Sequence, residues 1–129
     1  MRIAKDDVEI KLQVPGVVMR RRLDFGEANG LGKMAGEYFS LAAGVDTTEL
    51  FQGLEGNLCQ CPHWGFVLQG VVTTTDAAGR QETVRADDLF YWPKGHNVKV
   101  LEDAELILFS PQHEHTIVIE HAREKLGAK

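Results

Sequence analysis

The residues richest in chemistry lie in one run, Cys59-Gln60-Cys61-Pro62-His63-Trp64-Gly65-Phe66-Val67-Leu68-Gln69-Gly70. Two thiols and an imidazole stand at alternate positions, ahead of an apolar segment that stops at a glycine. In an extended chain alternate side chains share a face, so Cys59, Cys61 and His63 are expected to project to the same side. Thiolate and imidazole suit zinc and other borderline metals and disfavour magnesium and calcium. On an ideal strand the outer two Cα atoms of the set would lie about 13 Å apart, too far for one ion. Pro62 gives the chain a reason to bend there, because proline inside a sheet needs an edge or a bulge. The expectation is either two of the three residues on one metal, or all three gathered around a bulge.

The same residues have other readings. Free cysteine is often a small buried apolar side chain. A redox or nucleophilic thiol would instead need a depressed pKa, with a neighbouring histidine to lower it. His63 is either a hydrogen-bonded interior histidine or, facing a cavity, a general base, and it is the best catalytic candidate in the chain. Trp64, Phe66, Phe90, Tyr91 and Trp92 read as core or dimer packing, with one of them available to line a ligand pocket. His113-Glu114-His115 resembles a ligand pair but falls in a polar segment beside Pro111 and is expected at the surface, with His121 partly exposed.

The elements that must position these residues are mostly strands. Val8, Ile10, Leu12 and Val14 alternate with polar residues and stop at Pro15-Gly16; a second strand follows to Phe25, in which Arg21 falls on the apolar side. Gly26 to Lys33 is expected to be loop, and Met34 to Ala43 a third strand. Val71 to Thr75 and Glu82 to Arg85 read as a hairpin around a four-residue loop. Leu89 to Trp92, His96 to about Glu102 and Glu105 to Phe109 follow as short strands. After Pro111 the apolar period changes to that of a short amphipathic helix over about 116–126. Many short strands with one terminal helix predict an all-β barrel or jelly roll.

With Asp plus Glu at 19 against Lys plus Arg at 14, the chain lacks the basic footprint of a nucleic-acid binder, and Arg20-Arg21-Arg22 is too short to supply one. No apolar run reaches the roughly 20 residues of a membrane span, and Met1 to Asp7 lacks the apolar stretch of a secretion signal. A soluble, cytoplasmic protein with reduced thiols is the expectation, since two cysteines at this spacing cannot bridge distant segments. The length of 129 residues suits one domain.

Beyond these readings, Cys59 to Gly70, the hairpin, and Asp87-Asp88-Leu89-Phe90-Tyr91-Trp92-Pro93-Lys94-Gly95-His96 together resemble the paired motifs of the cupins. In the first motif Gly70 matches the closing glycine, so His63 stands where the family has its glutamate, Cys59 at its second histidine and Asn57 at its first. In the second, Pro93 and Gly95 match, Asp87 replaces the leading glycine, and Val98 replaces the metal histidine. The resemblance covers about residues 34–110. It implies a double-stranded β-helix, the cupin-type jelly-roll barrel, with N-terminal strands over 8–25 and the C-terminal helix. It also implies that His96, two residues before Val98, points inward with the thiols.

The expected metal set is therefore Cys59, Cys61, His63 and His96. They would hold a divalent ion, zinc first and iron or nickel after it, in a barrel that acts on or binds a small molecule. The alternative is a non-catalytic binding or sensing barrel without catalytic metal. Homodimerisation is expected from the family's habit, through the edge of the strand that includes Val8 to Val14.

Overall fold

The computed structural model describes residues 1–127. Eight strands form one antiparallel sheet: β1 (Ile10–Val14), β2 (Val17–Arg22), β3 (Glu27–Ala28), β4 (Gly32–Leu41), β5 (His63–Asp76), β6 (Gln81–Arg85), β7 (Leu89–Trp92) and β8 (His96–Pro111), followed by the helix α1 (Gln112–Leu126). The order across the sheet is β1-β2-β4-β8-β5-β6, with β3 hairpinned onto β4 and β7 lying on β5.

Period-two patterning decides which side chains face in. Ala35, Glu37, Phe39 and Leu41 turn inward from β4, and Ala104, Leu106, Leu108 and Ser110 from β8. Val67, Val72, Val100, Leu106 and Leu108 are fully enclosed, and each side chain of this size contributes about 1.5–3 kcal/mol by leaving water. The main apolar cluster extends to Ile119 of α1, so the helix packs against the barrel interior.

The long strands β5 and β8 run antiparallel from Trp64 opposite Phe109 to Asp76 opposite His96. Their register slips repeatedly between Val67 and Val72, where both strands bend. Gly70 sits at that corner with φ 94°, and a Cβ there would overlap the Asp103 carbonyl oxygen, so the corner accepts only glycine. Asp87, in the place of the leading glycine of the second motif, takes φ 72°, a left-handed conformation that Asp tolerates better than most residues.

Several boundaries differ from the sequence reading. The stretch expected as loop, 26–33, contains the two-residue strand β3, paired through Ala28 and Gly32. The two strands expected over 96–102 and 105–109 are one continuous β8, because Leu101, Glu102 and Asp103 are exposed side chains of a bend rather than a turn. The strand expected from Cys59 begins only at His63; Cys59 makes a single bridge to His96, and the chain through Pro62 is irregular. The helix starts at Gln112, four residues before the expected boundary, which brings His113, Glu114 and His115 into its first turn. Among the described residues no helix is long and apolar enough to cross a membrane.

Candidate metal centre

Four separate pieces of chain bring the polar residues of the barrel interior together. Backbone pairing fixes Cys59 beside His96: the Cys59 N–H donates to the His96 carbonyl at 2.9 Å and the Gly95 N–H to the Cys59 carbonyl at 2.7 Å. His63 opens β5 opposite Trp92, the last residue of β7. Glu37 faces in from β4, and His115 descends from the first turn of α1. The three histidine rings lie close, with centroids 5.3 Å apart for His63 and His96 and 4.4 Å apart for His63 and His115. The donor atoms of Cys59, His63 and His96 all lie within 4.8 Å of one another, and those of Glu37, His63 and His115 form a second such group that shares His63.

Hydrogen bonds assign the tautomers. The Ser110 hydroxyl donates its one proton to Glu37 Oε1 at 2.6 Å, so at 2.6 Å from His63 Nδ1 it accepts. His63 therefore carries its hydrogen on Nδ1 and leaves Nε2 bare, 3.6 Å from Cys59 Sγ. His96 Nδ1 lies 2.7 Å from the Pro93 carbonyl oxygen, which only accepts, so His96 Nε2 is also bare. Metal-binding histidines have this pattern: one ring nitrogen tied to an acceptor, the other presented to the ion.

Ionisation follows the same logic. Burial, reinforced by His115, His96 and Arg21, holds His63 well below the ordinary imidazole range. Burial lowers His96 to about 4, against a smaller upward pull from the Pro93 carbonyl. Both rings are neutral at pH 7, as ligation requires. The Cys59 thiol is pushed up to about 12 by burial, and Cys61 is pushed up further. Neither is an activated thiolate in the absence of a cation, which disfavours the redox and nucleophilic reading. A bound cation reverses this, because coordination deprotonates the thiol.

Glu37 is the anchor beneath the site. Burial pushes its carboxyl upward, but His115, Arg21 and Ser110 more than offset that, and the group ionises below the ordinary carboxylate range. Arg21 Nε donates to Glu37 Oε2 at 2.6 Å, and His115 Nδ1 lies 2.6 Å from the same oxygen. Glu37 thus orients both histidines beside it, His115 directly and His63 through the Ser110 hydroxyl.

Of the residues singled out in the sequence, the structure brings together Cys59, His63 and His96. Cys61 is fully buried but turned away, its Sγ 3.3 Å from the Pro62 carbonyl oxygen and 3.7 Å from that of Pro111, and it falls outside both donor groups. The irregular chain through Pro62 explains the split, since it removes the alternation that would have aligned Cys61 with its neighbours. His115, expected at the surface, is 3% exposed; His113 is exposed and His121 half-buried, hydrogen-bonded to the Gln52 carbonyl at 2.8 Å.

Cys59, His63, His96 and His115 line an interior cavity of about 60 Å³ whose remaining walls are almost entirely apolar, among them Phe39, Leu108 and, from α1, Ile119. Trp92 also lines it and is 3% exposed, yet its Nε1–H has no hydrogen-bond partner among the described residues. Trp92 and His96 form the shared wall between this cavity and a surface groove of about 590 Å³ that runs past Arg80, Glu82 and Lys94.

No protein-family model and no curated protein matches the chain. Solved structures do. An oxalate decarboxylase of Lactobacillus farciminis in complex with formate aligns at a TM-score of 0.56 and 22% identity, over 84% of this chain and 31% of that one. A Bacillus subtilis oxalate decarboxylase studied for its Mn(II) centres aligns at 0.58 and 24%, over 84% and 28%. This is a cupin fold. The chain spans less than a third of the length of these neighbours. Within the cupin barrel the motif positions for the histidines and glutamate hold Asn57, Cys59, His63 and Val98. Asn57 faces out and accepts from the Gly53 N–H at 3.1 Å, while Val98 packs against the cavity. Three histidines and a glutamate nonetheless meet inside the barrel, as Glu37, His63, His96 and His115, three of them from positions outside those motif places.

Proposed function

We propose that this cupin-like barrel binds one divalent metal through Cys59, His63 and His96, and acts on a small molecule in the adjoining cavity. The observation that carries this is the pair of neutral histidines, each with Nδ1 spent on a fixed acceptor, converging with a buried thiol within 4.8 Å. One thiolate and two imidazoles suit zinc best, with iron or nickel next, and three protein ligands leave a coordination position open. A metal so bound polarises an oxygen of the bound molecule or activates water. The protein's own contribution is a largely apolar enclosed cavity, with the Ser110 hydroxyl and the Pro93 carbonyl holding the His63 and His96 rings in place.

Elemental analysis of protein purified without chelator or metal-affinity resin tests this. About one zinc, iron or nickel per chain is expected, falling at least several-fold in Cys59→Ser and staying unchanged in Cys61→Ser. Metal-free wild type would instead favour the second reading, a non-catalytic binding barrel, which the enclosure of the cavity beneath α1 supports.

The same proposal includes a homodimer and a reducing, cytoplasmic setting. The outer edge of β1 is unpaired among the described strands, and both cysteines are free. Sedimentation equilibrium is expected to return twice the monomer mass of 14.3 kDa, and a single-chain mass would remove the dimer.

A further inference from the structure

The wall of the interior cavity is sharply divided in chemistry. No Lys, Arg, Asp, Glu, Asn, Gln or Ser side chain lines it, and its polar side chains are Thr47, Cys59, His63, Trp92, His96 and His115. The Thr47 hydroxyl is spent on the protein itself. It accepts from the Val98 N–H at 2.8 Å, and its own hydrogen has the Val98 carbonyl and Asn97 Oδ1 as acceptors, both at 3.3 Å. The other five form one patch. The donor atoms of Cys59, His63 and His96 lie within 4.8 Å of one another, the His115 ring is 4.4 Å from that of His63, and the Trp92 ring is 5.7 Å from that of His96. The remaining wall is hydrocarbon, including Leu12 from β1, Met19 from β2, Phe39 from β4, Leu106 from β8 and Ile119 from α1.

We infer that the molecule this cavity accepts is a short hydrocarbon body with a single oxygen head, the head against the cysteine and histidine patch and the body against the strands and α1. The hydrocarbon wall offers no hydrogen bond, so a second hydroxyl or a carboxyl on the body would lose its water and find no partner. Each methylene placed there is instead stabilised by leaving water. Apolar chambers stay dry and take up hydrocarbon for this reason. Size sets the length. About 60 Å³ is room for on the order of four to six water-sized groups, so a chain of that many heavy atoms, head included, fills it. A hydroxyl is the least demanding head, because it both donates and accepts and so matches the patch whichever way the imidazoles present their hydrogens. The inference rests on the cavity being the ligand site of the function proposed above, and it needs no particular metal there.

Butan-1-ol and propane-1,3-diol decide it. Both are uncharged, have equal numbers of heavy atoms and share one hydroxyl end; the other end is a methyl in the first and a second hydroxyl in the diol. Each is titrated into the protein as purified, with isotope-labelled methyl groups as the readout and the metal content measured on the same sample. Butan-1-ol is expected to give saturable shifts at the methyls of Val98, Leu106, Leu108 and Ile119, and the diol to bind at least about tenfold more weakly. Ala122→Leu puts a larger side chain from α1 on the cavity wall, and is expected to weaken butan-1-ol at least about fivefold while leaving metal content unchanged. Equal affinities for the two alcohols, tighter binding of the diol, shifts confined to other methyls, or no saturable binding of butan-1-ol would each overturn the inference. So would an unchanged affinity in folded Ala122→Leu. Should that variant not fold, the two alcohols on the wild type still decide. The metal content speaks separately to the metal centre: a metal-free sample that prefers butan-1-ol keeps the inference and removes the metal, and a metal-loaded sample indifferent to the two alcohols does the reverse.

Discussion

Arg21→Ala is expected to lower the unfolding free energy by about 3–5 kcal/mol, the usual cost of leaving one member of a buried ion pair without its partner. Arg21 and Glu37 are 3% and 0% exposed at their side chains, and their contact is 2.6 Å. The guanidinium has other work as well: Nη1 donates to Thr116 Oγ1 at 3.1 Å and Nη2 reaches the Gln112 carbonyl at 3.5 Å, tying the first turn of α1 to β2. Removing it therefore loosens the helix that closes the cavity and strips a countercharge from the carboxylate that orients His115. Guanidinium chloride unfolding, with the midpoint and slope fitted separately, measures the loss. The double variant Arg21→Met with Glu37→Met is expected to be less damaging than the sum of its parts, because neither charge is then stranded. A loss below about 1 kcal/mol for Arg21→Ala would mean that the pair is dispensable to the fold and that the site's scaffold lies elsewhere.

That ion pair also marks how far the sequence could be read. The strands were legible because apolar residues recur at period two, and Arg21 stood out as a charge on the apolar side of β2. Its partner obeys the same rule: Glu37 shares the inward parity of Ala35, Phe39 and Leu41, so two opposite charges on the buried faces of neighbouring strands were the available signal for a pair. Their alignment, with Arg21 directly opposite Glu37, depends on a register that the loop between the strands does not disclose. His115 was less accessible. The apolar period of α1 is weak because its buried face includes that histidine, and Pro111 suggested a polar turn where the chain in fact enters the helix. Cys61 failed in the opposite direction. Alternation predicts it beside Cys59 and His63, but alternation holds only where the chain is a strand, and Pro62 ends that regularity before His63 begins β5. Cys59 and His63 meet because the chain bends, which period-two reasoning could anticipate only through the proline.

Metal affinity is expected to rise close to tenfold for each unit of pH between about 5 and 9, roughly a hundredfold between pH 6 and pH 8. Cys59 supplies the reason. Its thiol, with a pKa pushed up to about 12, is protonated throughout that range in the metal-free protein, and ligation must expel that proton. One proton is therefore released per ion bound, and a release of one proton sets the slope at one. The histidines do not add to it there, because burial holds His63 well below 6.5 and His96 at about 4, so both are already deprotonated. Under more acid conditions His96 begins to take up a proton and the dependence steepens. The linkage also acts on the metal-free fold: both rings have depressed pKa values, so the unfolded chain binds more protons, and stability falls as pH drops from about 6.5 toward 4. Calorimetric titration of zinc in buffers of different ionisation enthalpy counts the released protons directly. A count near one, lost in Cys59→Ala together with most of the affinity, is the expected result. A count near zero with affinity unchanged would show that the ion is held without the thiolate, and would move the centre toward the Glu37, His63 and His115 group.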